Sequence, residues 1–267
     1  MTVGKSGVCA IAVMAKASAA GRTKTRMVPP LTQSEAAQFN TAFLQDVATN
    51  LFDAQGLAAI QPCMAFTPAG SESFFRQILP SGIELLETVA PTLGGCLFRA
   101  AEALLASGYG TVCLLNADSP TLPTAYLVTA ATILAAEGDR MVIGPSTDGG
   151  YYLIGLKAAH KSLFDDIEWS TERVFAQTLE RAKAIKLPVV TLPTWYDVDD
   201  AETLRRLAGE VLDGKLFRTV GGEPTNARAS RELLRHLMKT AGLAGRLGLP
   251  HHQFEVSANT VGDDLRA

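Results

Sequence analysis

Apolar runs alternate with amphipathic stretches along most of this chain. Near-continuous apolar runs at 8–15, 60–66, 83–87, 111–116, 141–144, 151–155 and 189–192 predict strands, several of them covered on both faces. Between them, helical periodicity predicts helices at about 33–52, 71–78, 93–107, 125–136, 172–185 and 201–212. The first follows Pro29-Pro30 and opens on Thr32-Gln-Ser-Glu35, a capping box. Strands and helices in alternation with short connections predict an α/β fold built on a mainly parallel, doubly wound sheet. The pattern changes after about residue 215. Gly221-Gly222-Glu-Pro224 breaks it, 226–240 reads as one more helix that Gly242 could end, and the last stretch reads as irregular. The expected division is therefore a main domain at 1–214 and a C-terminal extension at 215–267.

Composition narrows the class without naming the chemistry. The chain has 267 residues, 47% hydrophobic and 19% charged, with a net charge of −3, so nucleic acid is not an expected partner. No window approaches the ~18 apolar residues of a membrane span. The apolar run at 8–15 is followed by Lys16 and a basic loop where a signal cleavage site would stand, and a cytoplasmic location is expected. Cys9, Cys63, Cys96 and Cys113 are dispersed without a C-x-x-C pair, which predicts free, mostly buried thiols rather than disulfides or a zinc site. The four histidines, including His251-His252 in a polar tail, show no ligand spacing.

Against that acidic background, Lys16-Ala-Ser-Ala-Ala-Gly-Arg-Thr-Lys-Thr-Arg26 carries four cations and no acid, directly after the first predicted strand. In an extended segment Arg22, Lys24 and Arg26 would leave the backbone on one side. Converging cations need an anion between them, and the spacing suits a polyphosphate at the carboxyl end of a strand, where open α/β sheets bind ligands. A solvated basic loop is the plainer alternative.

Three acidic clusters stand at predicted strand ends. Asp118, in Asn116-Ala-Asp118-Ser-Pro120, would share the rim with the basic loop and could hold Mg²⁺, or could simply be a turn aspartate. Asp148-Gly149-Gly150 permits close backbone approach to a ligand, and equally suits a hairpin turn. In Tyr196-Asp197-Val-Asp199-Asp200, Asp197 and Asp199 would point the same way and need a cation or a proton. Asp199 with Glu202 also has capping-box spacing, so one of the two could cap the next helix while the other faces a site. No P-loop, dinucleotide fingerprint or serine elbow is present. Trp169-Ser-Thr171 is expected to start a helix, Trp169 stapling on Val174, in preference to lining a pocket.

These residues carry a resemblance. The 16–26 segment resembles K-A-P-x-P-G-x-x-K-T-R-L of a bacterial family labelled either as candidate glycosyltransferases or as uncharacterised. The likeness continues through Asn116-Ala-Asp118-Ser-Pro120, Gly144-Pro-Ser-Thr-Asp148-Gly-Gly-Tyr-Tyr-Leu-Ile-Gly155, Glu168-Trp-Ser-Thr171 and Tyr196-Asp-Val-Asp199. That family lies in the nucleotide-diphospho-sugar transferase superfamily and is similar to phospholactate guanylyltransferase and molybdenum cofactor guanylyltransferase. The resemblance implies one Rossmann-like domain of the GT-A or nucleotidyltransferase type, with a mainly parallel mixed sheet, helices on both faces and a C-terminal helical extension. It implies an NTP or NDP-sugar, a small-molecule acceptor, and Mg²⁺ or Mn²⁺. By position, Lys16, Gly21, Arg22, Lys24 and Arg26 would hold phosphates, with Gly149 and Gly150 approaching the nucleotide or acceptor. Asp118, with Asp197 or Asp199, would bind metal. Lys24, Arg22, Asp118 and Asp148 would be the catalytic set.

The chain also departs from the family pattern. Ser18 and Ala20 replace loop prolines, which predicts a loop that orders with nucleotide; glycine and acid residues are missing near Pro91-Thr-Leu-Gly94; Asp200-Ala201 replaces Thr-Pro. A cation-rich loop without a clear carboxylate base favours metal-dependent nucleotidyl transfer to a phosphorylated acceptor, with pyrophosphate leaving. NDP-sugar-dependent glycosyl transfer and non-catalytic nucleotide binding are the alternatives. Arg228, Arg231, Arg235 and Lys239 make the last helix basic on one side, a face that could close over an acceptor, pair with a second copy as a homodimer, or stay solvated.

Overall fold

The computed structural model describes residues 4–215, 217 and 222–249. Met1–Val3 and the histidine-bearing tail from 250 onward lie outside the described residues, as does Gly221 of the predicted break. Among the described residues, seven strands form one sheet: β1 (Cys9–Lys16), β2 (Ile60–Thr67), β3 (Glu84–Glu87), β4 (Thr111–Leu115), β5 (Met141–Pro145), β6 (Tyr151–Leu156) and β7 (Val189–Thr191). Their order is β3-β2-β1-β4-β6-β5-β7. Only β6 runs against the rest, pairing antiparallel with both β4 and β5, while the other described pairings are parallel. Because β6 is reversed, it starts at the rim where the parallel strands end.

Helices α1 (Gln33–Gln55), α2 (Glu72–Ile78), α3 (Leu93–Ala106), α4 (Thr124–Ala135), α5 (Val174–Ala184) and α6 (Ala201–Asp213) match the predicted set within a few residues. The apolar strands are buried because helices cover both faces. On β1, Cys9, Ile11 and Val13 enter a core shared with α1, α4 and α6. Ala10 and Ala12 of the same strand face α3 and the start of the α5 side. This period-two split is what a strand with two covered faces requires. The four cysteines are free and buried, as expected.

Beyond α6 lie α7 (Arg228–Thr240) and a short α8 (Leu243–Arg246), the latter in a stretch expected to be irregular. Leu234, Leu237 and Met238 of α7 and Leu243 of α8 join the same core cluster as α1. The α7 N-terminus has no cap of its own. Instead Asp46 of α1 accepts the backbone N–H groups of Ala229 (2.7 Å) and Ser230 (2.9 Å) and the Ser230 hydroxyl, supplying from another helix the acceptor that an N-terminus lacks. At the α1 start the capping box forms between Thr32 and Glu35. The same Glu35 carboxylate takes a two-pronged contact from Arg246 of α8, at 2.6 and 2.8 Å.

Candidate active site

The chain leaves β1 at Lys16 and turns at once. The segment is not extended: the Arg22 and Thr23 N–H groups both donate to the Ala19 carbonyl, Lys24 sits at φ 51°, and Thr25–Met27 form a 3-10 turn. Buried Thr23 and Met27 anchor the turn; between them Arg26 faces outward, while the Lys24 side chain turns inward and is only 5% exposed. Gly21, at φ +72°, makes the tightest corner against Gln33, a place where a side chain would be strained. The loop is pinned without its missing prolines. The Asn40 amide donates to the Lys16 carbonyl (3.0 Å) and Ser18 Oγ (2.8 Å), Thr41 donates to Ser18, and Lys16 Nζ donates to the Arg22 carbonyl.

The four cations predicted to gather do so by turns rather than by strand alternation. Lys16, Arg22, Lys24 and Arg26 line a polar pocket of about 240 Å³ together with Asp118 and Asp199. Gly21 shapes the turn behind them.

Lys24 is the hub of this pocket. Its ammonium lies 2.7 Å from Asp118 Oδ1 and 2.8 Å from Asp199 Oδ1, and it donates to the Val198 carbonyl at 2.8 Å. Burial disfavours the charged lysine, but Asp118 and Asp199 outweigh it and raise its pKa. Asp118 is raised by its enclosure in protein, an effect that Lys24 opposes and Asp199 reinforces. Arg26 reaches Asp199 only at 3.9 Å and is mostly exposed.

The second acidic segment runs alongside Asp118. The Val198 N–H donates to the Asp118 carbonyl (2.8 Å), and Ser119 donates to the Tyr196 carbonyl (3.0 Å). Tyr196 and Val198 are buried, so Asp197 and Asp199 share the opposite side, as alternation predicts. The capping expectation is corrected: Asp200 caps α6, accepting the Thr203 N–H at 2.8 Å while Thr203 Oγ1 accepts the Asp200 N–H. The box is one residue later than the Asp199–Glu202 spacing suggested, and it leaves both Asp197 and Asp199 free of that duty. Asp197 is pushed up to about 7, first by burial and then by the charges of Asp148, Asp199 and Asp118.

The residues present fit a hard divalent cation in one respect. Lys24 Nζ already occupies a position with three oxygen partners, two of them carboxylates, and oxygen donors suit Mg²⁺ or Mn²⁺. Among the described residues, however, no group of three or more His, Cys, Asp or Glu is assembled for a metal. Asp118 and Asp199 meet on the lysine.

Asp148, Gly149 and Gly150 form the β5–β6 hairpin turn. Asp148 Oδ1 accepts the Gly150 N–H at 2.9 Å. Gly149, at φ +90°, lies so close to the Glu172 backbone that no side chain fits. This turn does not line the cationic pocket. Asp148 and Gly150 instead border a second, more apolar cavity of about 190 Å³, which Met14 joins to the first. Trp169 lines that cavity, packed edge to face on Tyr151 at 6.4 Å. Its expected role as a helix staple is thus corrected: α5 begins only at Val174, and Trp169 serves as a wall. Sequence reading missed Asn40 and Asn116. The signal for Asn40 was a polar residue within an otherwise apolar helix face, between Phe39 and Phe43.

The fold matches that of a solved structure described as a candidate nucleotide-diphospho-sugar transferase. A protein from Desulfovibrio desulfuricans G20, described as a candidate member of that class, superposes with a TM-score of 0.74 over 92% of this chain and 99% of its own, at 24% identity. The family model described as "Uncharacterized protein conserved in bacteria" (DUF2064) matches residues 50–171, a stretch that holds Asp118 and Asp148 and leaves the cationic loop outside. A CMP:2-keto-3-deoxy-manno-octonic acid synthetase solved with CTP covers 78% of this chain and 100% of its own at 12% identity, TM-score 0.48. A Mycobacterium tuberculosis H37Rv protein solved with manganese covers 75% and 97% at 18% identity, TM-score 0.43. The last two are too loosely similar to bear on chemistry. Among curated proteins no match was found. Among the described residues no helix is long and apolar enough to cross a membrane.

Proposed function

We propose that this protein is a nucleotide-dependent transferase that moves a nucleotidyl group from an NTP to a phosphorylated small-molecule acceptor, using Mg²⁺ or Mn²⁺. The observation that carries the reading is the polar pocket in which Lys16, Arg22, Lys24 and Arg26 face Asp118 and Asp199. Arg22 and Arg26 are exposed and unconstrained enough to take phosphate oxygens by two prongs, with Lys16 and Lys24 as point charges. Asp118 and Asp199, with Asp197 beside them, would hold the metal, which when bound supplies charge neutralisation to the transferring phosphate. With its two carboxylates engaged in that way, Lys24 would be free to contact the phosphates.

The acceptor phosphate would attack the α-phosphorus, and pyrophosphate would leave with the broken P–O bond. A phosphate is ionised near neutral pH, so the chain needs to supply position and cations rather than a base. That agrees with Asp148, whose carboxylate is spent on its own turn. A second reading, glycosyl transfer from an NDP-sugar, is favoured by one observation. Asp197 is pushed up to about 7, and a carboxyl that titrates near neutrality is suited to taking a hydroxyl proton.

Purified protein with Mg²⁺ should be offered the four NTPs with phosphorylated acceptors, and separately a panel of NDP-sugars. Pyrophosphate release supports the first reading, and NDP release replaces it with the second. Binding without either product leaves a nucleotide-binding protein and rejects both. Asp118→Asn should abolish turnover while far-UV circular dichroism stays unchanged; retained turnover would remove Asp118 from the metal site.

A further inference from the structure

The apolar cavity beside the cationic pocket has no task in the chemistry above. Its walls are Tyr151 and Trp169, set edge to face with an interplanar angle of 76°, and Leu97 and Val174 from the α3 and α5 layer. Leu93 also lines the cavity and is 48% exposed. Two buried polar atoms at the cavity make no hydrogen bond, Asn116 Oδ1 and the Tyr151 hydroxyl. Buried polar atoms in native proteins are nearly always satisfied, and one left bare marks a place where a partner is missing. A donor such as a hydroxyl or amine would satisfy Asn116 Oδ1, and Tyr151 can donate or accept.

Position ties this cavity to the phosphates. Met14, at the end of β1, borders both spaces, and Asn116 is two residues from Asp118 on the same strand end. The volume, about 190 Å³, also limits the guest. A dry cavity of roughly 150 Å³ accepts a benzene ring, so one ring with a short substituent is the right scale.

Resting on the transferase reading, we infer that this cavity seats the organic part of the acceptor. That part is a compact, largely apolar ring carrying one hydroxyl or amine, its phosphate directed past Met14 into the cationic pocket. Trp169 and Tyr151 bound the ring, Leu93 closes its open side, and Asn116 reads the polar substituent. The site would therefore discriminate between phosphate esters by their carbon skeleton.

Two probes that share a phosphate test this: phenyl phosphate and glycerol 3-phosphate, titrated calorimetrically into the full-length protein. Phenyl phosphate should bind at least about tenfold more tightly, the scale of burying part of one ring. Leu93→Ser, at an exposed position, and Trp169→Ala should each reduce that preference to threefold or less. Trp169→Phe should retain most of it. Binding of the four Mg²⁺–NTPs to the same variants should match the parent.

Equal affinity for the two probes, or a preference that survives both Leu93→Ser and Trp169→Ala, overturns the assignment. So does a loss of NTP affinity in those variants, which would make the cavity the seat of the nucleobase. Failure of the transferase reading is separately visible in the turnover assay above, because the parent protein would then release neither pyrophosphate nor NDP. A phenyl preference that is lost in Trp169→Ala would still assign the cavity in that case.

Discussion

The ammonium of Lys24 sits 2.7 Å from Asp118, with only 5% of the lysine side chain exposed. With Asp199 equally near, the lysine neutralises two carboxylates that would otherwise repel each other. Lys24→Ala should cost about 1–3 kcal/mol of stability without metal, less than for a fully buried pair because a third of each carboxylate reaches solvent. Millimolar Mn²⁺ should recover more thermal stability in this variant than in the parent, measured by thermal melts with and without the ion. An equal gain in both proteins would count against a cation site on Asp118 and Asp199.

Asp197 predicts a pH effect of definite sign. Its carboxyl is raised from 3.8 to about 7, so the folded state holds a proton that the unfolded state has already lost. Stability is undiminished below about pH 4, falls as pH rises through 7, and stays level above. Asp197→Asn should therefore match the parent at pH 4 and exceed it at pH 8. The expected gain is about 1–2 kcal/mol once solvent access and the neighbouring acids are allowed for. Denaturant titrations at the two pH values decide it, and a variant that is less stable at pH 8 refutes it.

Asp46 holds α7 onto α1 through the Ala229 and Ser230 N–H groups. Asp46→Ala removes a buried cap and leaves those donors bare, at a cost of about 2–3 kcal/mol. Amide exchange should accelerate first in residues 229–234, ahead of the sheet. Uniform acceleration across the chain would mean that Asp46 supports the fold generally and not this junction.

Glu35 carries the opposite pH signature. Its hydrogen bonds from Arg246 lower its pKa from 4.5 to about 2 despite partial burial. Stability from this contact is present above about pH 4.5 and is lost as pH falls toward 2. Arg246→Ala should cost about 1–2 kcal/mol at pH 7, and the difference from the parent should shrink steadily below pH 4.5. A cost that does not change with pH would assign the effect to packing of the arginine stem.

Most of the architecture was legible because the strands are covered on both faces and so declare themselves as apolar runs; β1 reads directly from Val8 to Ala15. The gathering of Arg22, Lys24 and Arg26 was legible for a different reason, their charge, although the predicted extended geometry was wrong. Thr23 and Met27 are buried, and satisfying both in so short a loop needs a turn, which charge spacing does not encode. The α6 cap was misplaced by one residue because Asp199 and Asp200 offer the same side chain, and only Lys24, 175 residues away in sequence from Asp199, distinguishes them. Trp169 was read locally, against Val174, when its partner is Tyr151 at the head of β6. Long-range partners of this kind leave no trace in local periodicity.

The reversal of β6 bears on how such a protein can change. Six strands reach the rim with their carboxyl ends, and what they offer there is fixed by crossovers that thread the whole core. The seventh begins at the rim, joined to β5 by the short turn from Ser146 to Gly150. Gly149 aside, where the Glu172 backbone leaves no room for a side chain, side chains on that turn can be exchanged without disturbing any crossover. One wall of the rim is thus open to revision during descent while the cationic wall, built on the loop that follows β1, stays as it is.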